Sequence, residues 1–131
     1  MLIKLRFGFY NANQLKNKNR QKMIMRELIN SHIDIAVVSD TRITQNEQID
    51  AQNTWKQLTN GHSVWSSFVC VICMPNIGIN LINSHQNGRD LECEITFESD
   101  KISTSKLYAV YLPASAGQNA STLASLAQEL T

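Results

Sequence analysis

The sequence has no excess charge of either sign, no long apolar run and no secretory leader, and each absence narrows the field. Its 12 Lys+Arg against 11 Asp+Glu give a bulk charge that argues neither for nor against a nucleic-acid partner. The longest apolar stretch is far too short to cross a bilayer, so no membrane association is expected. An odd count of three cysteines without a leader points to reduced thiols in an intracellular, cytoplasmic or nuclear setting. Cys70 and Cys73 form a C-x-x-C, but no second ligand pair follows at zinc spacing. The pair lies inside the apolar run Phe68 to Met74, where strand positions three apart face opposite ways. Both therefore read as buried strand residues. There is no internal repeat and no low-complexity segment.

What is present is an ordinary globular composition, 43% hydrophobic and 18% charged over 131 residues, enough for one domain. Residues 2–10 alternate apolar and polar positions, the pattern of a strand with one buried face. Asn11 to Asn19 holds four Asn and reads as a loop. Residues 20–31 carry the i, i+4 stripe of a helix in Ile24 with Leu28 and Met25 with Ile29. Asp34 to Ser39 follows as a short, wholly apolar strand. This opening is a crossover that most often joins two parallel strands.

A short helix around Ile49 to Leu58 is expected to bury Trp55. Five strands are expected after it, at 62–67, 68–74, 77–82, 90–97 and 106–112, and then an amphipathic helix over 119–130. Leu91, Cys93, Ile95 and Phe97 alternate with Glu92, Glu94 and Glu98, the clearest period-two pattern in the chain. The order implies an α+β fold with one mixed β-sheet and helices on one face. The other face is expected to stay bare, with no sequence left over to cover it.

Three spots at strand ends could carry chemistry, because a sheet rim holds polar side chains rigidly. Asn11 and Asn13 follow the first strand; an Asn-rich turn is the plainer reading. Asp40 follows the buried strand, where α/β folds often present a metal ligand, but an Asp capping the next turn fits as well. Tyr111 ends the last strand and could offer its hydroxyl to a phosphate, or be a half-buried core tyrosine. Lys16, Lys18, Arg20, Lys22 and Arg26 fall within eleven positions, a basic face that could meet a phosphate backbone or simply be solvated.

In this order the spots resemble the endonuclease/exonuclease/phosphatase superfamily, most of all the N-terminal half of the apurinic/apyrimidinic-like endonuclease of LINE-type retrotransposons. Asn11-Ala12-Asn13-Gln14-Leu15 is similar to that family's Asn-x-Asn/Asp-Gly-Leu stretch. Asp34 to Ile43 is similar to its "pDI-x-x-x-QET" strand, and Val110-Tyr111-Leu112-Pro113-Ala114 to its "x-VYxP-N" strand. Gly88 to Ile95 resembles the "GR" strand of the retrotransposon members. The likeness runs over essentially the whole chain.

The resemblance implies that residues 1–131 are half of a DNase-I-like four-layer α/β sandwich and that the reaction is metal-assisted hydrolysis of a phosphodiester in DNA. It implies that Asn11 orients the phosphate or a carboxylate and that Tyr111 touches the scissile phosphate. Asp40 would hold Mg²⁺ or Mn²⁺ and Asn13 would take a less strict supporting place, while Lys16, Lys18 and Arg20 would touch nucleic acid. Departures bear on this. Asp40 stands for the family's Glu and shortens the ligand arm, Gln14 stands for Gly, and Ala114 for Asn. The family's "GDFN" and "SDH" segments do not follow before Thr131, and none of His32, His62 or His85 sits in a matching context. The expectation is thus a truncated nuclease, inactive alone, whose partners are DNA and either the missing C-terminal half or a second copy. The alternative is a non-catalytic remnant that binds nucleic acid or protein.

Overall fold

The computed structural model describes residues 5–84, 87–98 and 102–111. The elements run β1 (Phe7–Asn11), α1 (Lys18–Asn30), β2 (Ile35–Ser39), α2 (Gln45–Thr59), β3 (Ser63–Trp65), β4 (Val69–Cys73), β5 (Ile77–Ser84), β6 (Asp90–Glu98) and β7 (Ile102–Val110). The expected helix at 119–130, together with Pro113, Ala114 and His85, lies outside the described residues.

Both helices begin where side chains can satisfy the free N–H groups of a first turn. Asn17 accepts from the Arg20 N–H at the start of α1. Thr44 and Glu47 form a reciprocal capping box on α2, which therefore starts earlier than its apolar stripe suggests. α2 closes on Asn60 in the left-handed conformation.

β1 and β2 pair in parallel across the α1 crossover, and β4 joins β2 antiparallel, giving a mixed sheet of order β1-β2-β4-β3. Ile24, Met25 and Leu28 of α1, with Ala51 and Trp55 of α2, pack on one face of it against Ala36, Val38, Cys70 and Ile72. Full burial of such apolar side chains is worth about 1.5–3 kcal/mol each.

The strands after Asn76 depart from the expected single sheet. β5, β6 and β7 form a separate antiparallel meander. Ile77, Leu91, Cys93, Ile95 and Ala109 of this meander pack against Ile35, Val37, Val69, Val71 and Cys73. The face expected to stay bare is thus covered from within the chain. The α+β class holds, with helices on one face of the mixed sheet and the meander on the other. Exposed apolar surface remains on the edge strand β1, where Phe7 is 48% and Phe9 79% exposed.

All three cysteines are free and buried. Cys70 faces the helices and Cys73 faces the meander, as alternation requires. Burial pushes the Cys70 thiol up, and raises Cys73 and Cys93 to about 12. At pH 8 a soluble disulfide reagent should label none of them in the native chain and all three on unfolding. An unfolded thiol ionises near pH 8.5, so the unfolded state releases protons first as pH rises. The stability tied to neutral thiols is complete below that point and is lost progressively towards pH 12. Labelling of a thiol at the native chain's full unfolded-state rate would refute this burial.

Candidate phosphate-binding rim

The ends of β1 and β2 lie side by side, Asn11 in register with Ser39. The two following loops stay paired: the N–H groups of Ala12, Gln14 and Leu15 donate to the carbonyls of Ser39, Asp40 and Thr41, each at 2.8 Å. Arg20 braces the first loop by donating to the carbonyls of Ala12 and Gln14 at 2.6–3.1 Å. The second loop is tied to residues 66–68: Thr41 and Ile43 donate to the carbonyls of Phe68 and Ser67. Phe68 in turn donates to Gly88, and Tyr111 donates to the Arg89 carbonyl at 2.6 Å. Through this chain of backbone bonds the meander delivers Arg89 and Tyr111 to the rim that carries Asn11 and Asp40.

Asp40 is buried, its side chain 8% exposed, and both its oxygens are engaged by Arg42. Nε donates to Oδ1 at 2.5 Å and Nη2 to Oδ2 at 3.2 Å, the two-pronged geometry that suits a guanidinium and a carboxylate. The Tyr111 hydroxyl lies against the same guanidinium, and Asp40 first, then Tyr111, hold the Arg42 pKa above its ordinary value. The Tyr111 ring stacks on Phe68, centroids 5.4 Å apart, and Arg89 lies over the Phe68 ring at 5.8 Å.

Asn11, Asp40 and Tyr111 therefore come to one rim, whereas the other expected residues serve differently. The Asn11 side chain accepts from the Asn13 N–H at 3.0 Å, the Asn-turn of the plainer reading, and Asn13 is exposed. Arg20 spends its donors on loop carbonyls. Lys18 pairs loosely with Asp50 at 3.9 Å, and Lys16 is exposed. His32 and His62 are exposed and away from the rim's bonding network. Arg42, Phe68 and Arg89 were not singled out from the sequence. The available signals were an arginine two positions from the candidate carboxylate and the Gly88-Arg89 pair.

A Mg²⁺-type ion takes oxygen ligands, commonly one or two carboxylates besides water and phosphate. Here the carboxylate expected to serve, Asp40, is held by Arg42 on both oxygens. Among the described residues no group of three or more His, Cys, Asp or Glu side chains is placed to hold a metal ion. As arranged, these residues do not fit a Mg²⁺ or Mn²⁺ ion. None of the described helices is long and apolar enough to cross a membrane.

No protein-family model matches this sequence, and no curated protein does. Among solved structures, the chain is similar to an endonuclease/exonuclease/phosphatase family protein from Leptotrichia buccalis C-1013-b, at 13% identity and a TM-score of 0.48. The match covers 93% of this chain and 61% of that one, so the chain spans about three fifths of the length of the protein it is similar to.

Proposed function

We propose that the chain is the phosphate-binding half of an endonuclease/exonuclease/phosphatase-type domain, of the kind found in LINE-type retrotransposons, and engages the phosphodiester backbone of DNA. The observation that supports this most is the meeting of Asn11, Asp40 and Tyr111, far apart in sequence, at one rim next to paired strand ends. These are the residues that the family resemblance nominates, and the sheet rim is where a rigid scaffold can aim them at one ligand. Hydrolysis in this reading belongs to a complete domain, whose other half would add a water-positioning acid and a histidine.

The Asp40–Arg42 pair favours binding without cutting by this chain alone. A carboxylate whose two oxygens are both held by a guanidinium does not gather a cation readily, and catalytic sets that act as a unit lose most of their rate when members are missing. The purified chain, incubated with supercoiled plasmid and Mg²⁺ or Mn²⁺, should retard the plasmid in a gel yet leave it unnicked. Nicking that vanishes in Asp40→Ala would overturn the non-cutting part, and failure to retard any DNA would remove the nucleic-acid reading.

A further inference from the structure

Among the described residues, six non-glycine residues adopt left-handed backbone. Asn60 caps α2 and His32 follows the end of α1, positions where such geometry is routine. The other four are Asn13, Gln14, Asp40 and Arg42, with φ of 49°, 85°, 59° and 52°, and all belong to the two adjoining rim loops. Such conformations persist only where surroundings impose them, and they gather at binding and catalytic sites. With the residues on either side of Thr41 both left-handed, the Arg42 side chain doubles back onto Asp40.

The resulting array is rich in unused donors. A guanidinium carries five N–H groups; Asp40 takes two of Arg42's, and the side chain is 51% exposed, so others face Tyr111 and solvent. Among the described residues the buried Arg89 Nε–H has no acceptor, a situation that folded proteins nearly always remedy with a partner. Arg42 lies against Tyr111 and Arg89 over Phe68, so both guanidinium groups flank one stacked aromatic pair.

We propose that this rim binds a phosphodiester group without a metal ion: Arg42 and Arg89 supply the positive charge that a divalent cation would otherwise bring, and Asp40 positions Arg42 instead of ligating metal. This rests on the phosphodiester reading above. The planar guanidinium fork matches two phosphate oxygens as it matches a carboxylate. Asp40 offsets part of the charge of Arg42, so Arg89 carries the larger share of the net attraction while Arg42 supplies direction as well.

The test is fluorescence anisotropy of a labelled single-stranded oligodeoxynucleotide with the full chain at low salt, in EDTA and in Mg²⁺. Binding should be present in EDTA and unchanged by Mg²⁺. Arg42→Ala should weaken it roughly tenfold and lower the slope of log affinity against log salt by about one, while Arg42→Lys keeps part of the affinity. Asp40→Asn frees the charge of Arg42 while loosening its position, so whatever change it makes in binding should be the same with and without Mg²⁺, since a lost metal ligand would weaken binding only in Mg²⁺. Arg42→Ala leaves the buried carboxylate without its counter-ion and puts the fold at risk. Arg89→Ala therefore serves as a second arm, with the Asp40–Arg42 pair intact, and should also weaken binding. Inorganic phosphate should compete. Binding that appears only with Mg²⁺, or that ignores both arginine variants, overturns the arginine site and leaves the phosphodiester reading standing. No binding under any condition sinks both.

Discussion

Trp55→Ala is expected to cost about 3–5 kcal/mol, a large part of the roughly 5–15 kcal/mol that holds a domain of this kind together. Trp55 is almost wholly buried between α2 and the mixed sheet, and its indole N–H donates to the Cys73 carbonyl at 2.8 Å. The truncation opens a cavity and leaves that carbonyl without its indole donor, although the His62 carbonyl still receives the Cys73 N–H. Gly61 protects the same spot. A methyl group there would overlap the Cys73 carbonyl oxygen and come within 2.7 Å of the Trp55 indole nitrogen and 2.8 Å of the Thr59 hydroxyl. The carbonyl belongs to a central strand and cannot yield, so Gly61→Ala should cost about 1–3 kcal/mol, with no change in polarity to account for it. In a Trp55→Phe background the Gly61→Ala penalty should shrink, because one of the three clashes has gone. Urea unfolding of the four chains checks this. Strict additivity would show that the two residues do not share the site.

Gly88→Val is expected to destabilise the chain by about 3 kcal/mol and to abolish DNA retention together with it. Gly88 has φ +71°, which β-branched residues adopt only with strain. A Cβ there would also stand 2.7 Å from Ser67 Cβ and 3.1 Å from the Ser67 nitrogen, neither of which is a flexible side-chain end. The steric and backbone terms together give the figure. The effect on binding follows from the carbonyl of the same residue, which accepts from the Phe68 N–H at 3.0 Å and the Ser66 hydroxyl at 2.7 Å. Displacing it moves Phe68, and with it the stack that places Tyr111 and Arg89. Thermal melts and anisotropy on Gly88→Ala and Gly88→Val decide the matter. A valine variant that melts like the parent and still binds would show that the turn is not what carries the rim.

Among the described residues the helices and strands were legible in outline because each depends on local periodicity, but their bounds were not: β1 begins only at Phe7, and β7 begins at Ile102, four residues before the strand expected from 106. The alternation of Leu91, Cys93 and Ile95, and the stripe of Ile24 and Leu28, survive any change of tertiary partner. The division into two sheets was not legible. Pro75 and Asn76 mark a turn whether the next strand returns to the same sheet or leaves it. A hint lay in Val69 to Cys73, every residue of which is buried. A strand apolar on both faces needs two covering layers, and the second was already present in the alternating strands that follow. At the rim, Asn11, Asp40 and Tyr111 could be picked out by their places at strand ends. Arg42 could not, because its return onto Asp40 depends on left-handed backbone at two residues whose types do not demand it. Arg89 and Phe68 arrive only through contacts between the two sheets.

The placing of the cysteines means that the chain carries reporters of its own opening. Cys70 lies under the helices, whereas Cys73 and Cys93 lie between the sheets. Three residues of strand separate the Cα atoms of Cys70 and Cys73 by about 10 Å, too far for a disulfide, so neither thiol can silence the other. Modification of Cys70 therefore times the lifting of α1 and α2, and modification of Cys73 or Cys93 times the parting of the sheets. Equal rates describe one cooperative unit, and unequal rates say which layer lets go first.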